Sequence, residues 1–250
     1  MERLGPLNGI HMSRPLSRRG LLAGVATMAG GLVTRSSRAA PPPTETGLSH
    51  EGLLAGRPGF QPRTVMPLAY RSLPGFLSQR QLEAHHRRYV RAVERLETAE
   101  RQLREGRLDA RRYGEVRRAQ VAAANGVLLH ELYFGNLAPA TVEVPRYLEG
   151  HMREHMGGME PWAADFTRCA SGTTGWAVLL YDPYDDRWHD AMVASEDAGT
   201  WIGANPLVVC DVGEDAFAFD YRDRDAYVKA FMAHIDWNEV ARRYKAVDRM

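Results

Sequence analysis

The chain has 250 residues, with 32 Lys and Arg against 31 Asp and Glu and 44% hydrophobic residues. That balance suits one or two soluble domains and excludes collagen-like and wholly disordered chains. Two cysteines cannot build a disulfide framework, and a formal net charge of +1 gives no support to nucleic-acid binding, so no nucleic-acid partner is expected.

The charge is unevenly spread. Residues 1–40 hold six arginines and one glutamate, a local charge of +5, and leave 26 basic against 30 acidic residues in the remainder. Ser17-Arg18-Arg19-Gly20-Leu21-Leu22 opens an apolar, Gly/Ala-rich run to Val33, followed by Arg35-Ser36-Ser37-Arg38-Ala39-Ala40. A basic start, an apolar stretch too short for a membrane span and a small-residue exit read as an export signal. The paired arginines resemble a twin-arginine signal. Residues 1–40 are therefore expected to direct export to the periplasm or the extracellular space of a bacterial cell, with cleavage near Ala39 or Ala40. The plainer alternative is an Arg-rich disordered tail.

Residues 41–66 are rich in Pro, Gly and Thr without periodicity and read as a linker or extended arm. Ser78 then stands as the N-cap of a helix running to about Arg104, with Leu82, His85, Tyr89, Val93 and Leu96 on one face. Gly106-Arg107-Leu108-Asp109 breaks it, and a second helix is expected from about Asp109 to Phe134. Two long helices joined by a short turn predict an antiparallel hairpin. Pro145 to Asp165 reads as helical again. The period then changes: Gly175 to Tyr181 predicts a strand, Asp182 to Asp186 a turn, and Trp188 to Ser195 the hairpin partner. Pro206 to Val212 suits a buried strand, and Ala226 to Ile235 and Glu239 to Tyr244 predict short closing helices.

The expected fold class is α+β. An N-terminal antiparallel long-helix hairpin over 67–140 is followed by an α/β domain over 141–250 with a small, roughly three-stranded antiparallel sheet.

Three chemistry-bearing residues sit on these elements: His85 in the first long helix, His130 late in the second, and Asp211 at the end of a buried strand. In this order, and with the segments around them, they resemble the iron/manganese superoxide dismutase family. The resemblance covers roughly Met66 to Tyr244. It is carried by Gln81-Leu82-Glu83-Ala84-His85-His86, by Asn125 to Phe134 with Asn136-Leu137-Ala138-Pro139, by Gly172 to Ala177, and by Asp211 to Phe217. It implies one iron or manganese ion, of unresolved identity, held by His85, His130, Asp211 and a fourth protein ligand. It also implies dismutation of superoxide to oxygen and hydrogen peroxide as the metal cycles between its 3+ and 2+ states.

The motif is not complete. Asp215 stands where the family has its third histidine, and a carboxylate at that position is a chemically allowed but shorter ligand. With His85 as first ligand, Tyr89 replaces a gateway histidine and Val93 falls at the gateway tyrosine; a second register puts Gln81 at the ligand position and Tyr89 at the gateway. Gly213 replaces an aromatic wall of the metal pocket. Gly126 is the small residue of manganese-type members, with Glu196 the nearest candidate to face it. The resemblance leaves a homodimer open, but Glu214 would meet Asp215 across its usual interface, carboxylate to carboxylate.

Two functional classes follow. The first is a superoxide dismutase with activity weakened by the lost histidine; the second is a catalytically inactive homologue serving as a binding or structural module. Three further features carry alternatives. His151 and His155, at i and i+4 with Glu154 between them, read as a helical metal pair or an exposed polar face, Cys169 and Cys210 as a pair or free thiols, and Arg87-Arg88 as a steering charge or a solvated face.

Overall fold

The computed structural model describes residues 64–199 and 201–248. The expected signal over 1–40 and nearly all of the expected arm over 41–66 lie outside the described residues.

Ser78 begins the first helix, α1 (Gln79–Glu105), and its hydroxyl accepts the Gln81 N–H at 3.2 Å. One of the four amides that a helix start leaves unpaired is thereby satisfied. Leu82, His85, Tyr89, Ala92, Val93, Leu96 and Ala99 form the buried face. Their three- and four-residue steps are those of a helix laid against a partner. Gly106, at φ 66°, ends the helix in the left-handed region that lacks a penalty only for glycine. Asp109 then caps α2 (Ala110–Gly135) by accepting the Arg112 N–H at 2.8 Å. The two helices pack along their length as the expected antiparallel hairpin.

The next helical stretch departs from a single helix over 145–165. It divides into α3 (Arg146–Met156) and α4 (Met159–Gly172). Gly157 and Gly158 both hold positive φ, 78° and 120°, so the chain turns where only glycine turns cheaply.

Strands β1 (Trp176–Asp182), β2 (Arg187–Val193) and β3 (Asn205–Asp211) form one antiparallel sheet in the order β2-β1-β3. The central strand β1 is buried throughout, whereas on the edge strand β2 only Trp188 and Val193 are buried. The register between β1 and β3 shifts between Leu179 and Leu180, opposite Pro206, which has no N–H to give to a ladder. A short 3-10 turn (Glu214–Ala216) follows β3, and α5 (Arg224–Ala233) and α6 (Trp237–Val247) close the chain. Asp236 caps α6 two residues earlier than the apolar pattern suggests, its carboxylate accepting the Asn238 and Glu239 amides. Among the described residues, six helices and a three-stranded antiparallel sheet make the expected α+β fold.

Two polar groups tie the hairpin to the sheet. The Asn136 side chain, just past α2, accepts the Val209 N–H of β3 at 2.8 Å. Buried Arg243 on α6 donates to the carbonyls of Leu132 (2.8 Å) and Leu207 (3.0 Å) and to the Glu239 carboxylate (2.9 Å). Those bonds hold the C-terminal half of α2 in register with β3. The two elements bring His130 and Asp211 to the same place.

Candidate metal centre

His85 and His130 point from the facing sides of the hairpin, and Asp211 ends β3. All three are buried, and one ligand-type atom from each lies within 4.8 Å of the others. His85 Nε2 stands 2.9 Å from Asp211 Oδ2. The register of the sheet pairs Asp211 with Trp176, whose indole meets the His130 ring edge-on at 4.9 Å. Tyr133 and Phe134 cover the His85 ring at 4.7 and 5.0 Å. An apolar, aromatic shell thus encloses three donor side chains.

The residues fit a bound transition metal. His130 Nδ1 lies 2.6 Å from the Gly126 carbonyl, so Nδ1–H donates there and Nε2 is left as a bare lone pair. That Nε2 is buried and has no hydrogen-bond partner. A buried acceptor with nothing to accept costs roughly 1–3 kcal/mol, a cost that a cation removes. Burial, reinforced by the neighbouring His85, lowers the His130 pKa to about 4, so the ring is neutral and ligand-ready at physiological pH. Burial works in the opposite sense on Asp211. The hydrogen bond and charge of His85, with His130 and the Gly213 N–H, outweigh it and hold the carboxyl below its ordinary value. Two imidazoles and one carboxylate are donors that suit iron and manganese.

A further layer orients these donors. The Gly213 N–H donates to Asp211 Oδ1 at 2.8 Å, leaving Oδ2 toward His85. Tyr227 donates its hydroxyl to the Asp211 carbonyl at 2.8 Å and lies 3.1 Å from the Tyr133 hydroxyl, so Tyr133 donates in turn to Tyr227. Sequence reasoning missed Tyr227 as part of this chain; its spacing marks only a buried helix face.

Asp215 stands apart from this group. Its side chain is 71% exposed, and its Oδ2 stands 3.3 Å from Arg88 Nη1, outside the His85–His130–Asp211 group. The 3-10 turn after β3 carries it toward solvent. The second register is also resolved. Gln81 is buried, but its amide donates to the Asp215 carbonyl at 2.7 Å and accepts the Phe219 N–H at 2.9 Å. It is a clamp between α1 and the segment after β3, and His85 is the residue that meets Asp211. Tyr89 is fully buried near His130, with its hydroxyl engaged by Glu131 Oε1 at 2.9 Å and the Met66 N–H at 3.0 Å.

A Cβ on Gly213 would stand 3.0 Å from Asp211 Oδ1, tight enough to press on the carboxylate, and 3.5 Å from Arg88 Nη1, an ordinary contact. Glu196 packs against Gly126, its Cγ 3.3 Å from where a Cβ would stand, and its Oε1 lies 4.0 Å from Arg88. Cys169 and Cys210 are free thiols.

Comparison with known proteins agrees with this arrangement. Residues 145–243 match the family described as iron/manganese superoxide dismutases, C-terminal domain. The chain is 30% identical over 189 residues to superoxide dismutase [Mn] 2 of Haloferax volcanii, covering 72% of this chain and 93% of that protein. It is 31% identical over 189 residues to superoxide dismutase [Mn] of Haloarcula marismortui, covering 72% and 91%. It is also 33% identical over 138 residues to superoxide dismutase [Fe] of Cupriavidus metallidurans, covering 54% and 69%.

Proposed function

Because the chain belongs to the iron/manganese superoxide dismutase family, we propose that His85, His130 and Asp211 hold one iron or manganese ion at which superoxide is dismuted. The observation that carries the reading is the buried, unpartnered His130 Nε2 beside a His85–Asp211 pair. When bound, the ion supplies a one-electron carrier between its 3+ and 2+ states, so that one superoxide leaves as oxygen and a second, with an electron and two protons, becomes hydrogen peroxide.

The protein's own part is positional and electrostatic. The Gly126 carbonyl fixes the His130 tautomer, and the Gly213 amide aims the Asp211 carboxylate. Trp176, Tyr133 and Phe134 limit water around the donors. Arg88 supplies a cation whose charge acts on His130, although Asp215 and Glu196 offset part of it. The three-donor set leaves further coordination positions for solvent and small anions. An enzyme is favoured over an inactive homologue because the donors remain buried and oriented.

Metal analysis and a superoxide assay on the purified protein, beside His130→Gln, test the assignment. One equivalent of iron or manganese with turnover, both lost in the variant, is expected. Wild-type metal content in His130→Gln would overturn it.

Export by the twin-arginine route is part of the same proposal and rests on Arg18-Arg19 and the apolar run to Val33. Replacing both arginines with lysine is expected to retain the protein in the cytoplasm of a bacterial host. An altered dimer interface is proposed from Glu214 and Asp215, both exposed after β3. Sedimentation of the wild type against Asp215→His tests it, with tighter self-association expected in the variant.

A further inference from the structure

We propose that His151, Glu154 and His155 on α3 form a second, independent divalent-metal site of the zinc type. The three residues fall at i, i+3 and i+4, which places them on one helix face. One ligand-type atom from each lies within 4.8 Å of the others. Glu154 is exposed, and an ion held with bonds of about 2.0–2.2 Å would draw the three side chains together from this spacing.

His155 points to a ligand independently of that spacing. Both of its ring nitrogens are buried and neither has a hydrogen-bond partner. The residue as a whole is half-buried, but an imidazole brings one donor and one acceptor, and two enclosed ring nitrogens with both unmade are rare in a folded protein. A cation on the ring nitrogen that faces His151 and Glu154 satisfies the acceptor. The ring cannot swing away to water easily, because it stacks on Trp188 (5.4 Å, 17°) and on His151 (5.6 Å, 10°). Burial lowers the His155 pKa, which keeps the ring in the neutral form that binds metal.

His151 is oriented from behind. Its Nδ1 lies 3.3 Å from the Tyr244 hydroxyl, and Tyr244 itself packs edge-on against Trp188 at 4.9 Å. An Nδ1–H donated to the phenol oxygen leaves Nε2 as the free lone pair, the arrangement in which a ligating histidine is held by a hydrogen bond on its other nitrogen. Two imidazoles and one carboxylate favour zinc over magnesium or calcium, which take all-oxygen sets. Three protein donors leave a fourth tetrahedral position to solvent.

A neighbouring group shows the contrast. Asp182, Asp185 and His189 lie equally close, but the two Asp182 oxygens already accept the Tyr184 N–H (2.8 Å) and the Trp201 indole N–H (3.0 Å). His189 Nε2 is 2.8 Å from Asp185 Oδ2. That set is a hydrogen-bonded turn with its polar atoms already used. His155 has no such partners, and none of the α3 residues belongs to the His85–His130–Asp211 group.

The test is zinc titration of the full-length, metal-stripped protein against a chromophoric chelator, with cobalt(II) absorption as a second readout. His151→Gln, Glu154→Gln and His155→Gln are compared with wild type and with His130→Gln. Circular dichroism checks that each is folded, and the two more accessible positions carry the test if His155→Gln is not. Wild type is expected to bind one zinc that survives His130→Gln. Each α3 histidine variant should bind that zinc at least roughly 10–100-fold more weakly. The tetrahedral cobalt bands should vanish with it. Unchanged zinc binding in both histidine variants, or no zinc beyond that lost in His130→Gln, would overturn the proposal. Failure of the dismutase reading leaves this pattern intact, since it is read on zinc alone.

Discussion

Arg88 Nη1 stands 3.3 Å from Asp215 Oδ2, and the same guanidinium lies 4.0 Å from Glu196 Oε1. One cation from α1 thus answers two carboxylates, one after β3 and one after β2. Asp215 faces solvent and Arg88, so its role is electrostatic. Asp215→Asn is expected to keep wild-type metal content and to change stability by less than about 1 kcal/mol, as for other exposed pairs. Elemental analysis checks this, and loss of metal would mean that Asp215 reaches the ion after all.

Arg88 is the more consequential partner. Its charge is felt at His130, where it is among the groups that disfavour the protonated ring. Arg88→Gln is expected to lower kcat/KM for superoxide by roughly tenfold at low salt, with a smaller loss at high salt, as for a steering charge. Pulse-radiolysis rates at two ionic strengths measure it. An equal loss at both salts would assign Arg88 to packing instead.

The hairpin and the convergence of His85, His130 and Asp211 were legible in the sequence because local rules and tertiary needs coincide there. Ser78 and Asp109 cap the helices they precede, Gly106 ends the first, and the buried faces of α1 and α2 contain His85 and His130. The direction of Asp215 was not legible, because a motif counts residues, whereas the 3-10 turn of Glu214–Ala216 decides which way each points. Gln81 and Arg88 could not be assigned from α1 alone. Their partners, Asp215 and Phe219, lie more than a hundred residues away in sequence. The break at Gly157-Gly158 carried a local signal, two adjacent glycines, that the apolar periodicity on either side concealed.

Arg243 links α6, the end of α2 and β3, and it is almost wholly buried. Arg243→Leu takes the Arg243 hydrogen bonds from the Leu132 and Leu207 carbonyls, whereas Glu239 keeps its bonds from Arg242 at 2.7 and 2.6 Å. Each lost hydrogen bond from a charged donor costs about 1.5–3 kcal/mol. The urea midpoint is expected to fall accordingly, with metal affinity reduced because His130 and Asp211 lose their common brace. A change under about 1 kcal/mol would show that Asn136 alone holds the register.

Asp190 on β2 gives the protein an unusual pH dependence. Burial raises its pKa to about 7, against a partial offset from the Trp162 indole N–H at 3.2 Å, and its other oxygen has no partner. The folded carboxyl therefore binds its proton more tightly than the unfolded one. Its stabilisation is complete below the unfolded pKa of about 4 and is lost as pH rises to about 7, a change of up to about 4 kcal/mol. In the metal-free protein His130 acts in the other sense. With its folded pKa depressed to about 4 from 6.5, stability rises with pH across that interval, by up to about 3 kcal/mol. The two slopes oppose each other, so metal-free wild type is expected to show a shallow profile between pH 4 and 6.5. Asp190→Asn keeps an acceptor for Trp162 and removes the titration. The variant should be more stable than wild type at pH 8, and its metal-free form should gain stability steeply from pH 4 to 6.5. Urea unfolding at pH 4.5, 6.5 and 8 measures both effects. Parallel profiles for variant and wild type would show that Asp190 titrates as an ordinary surface carboxylate.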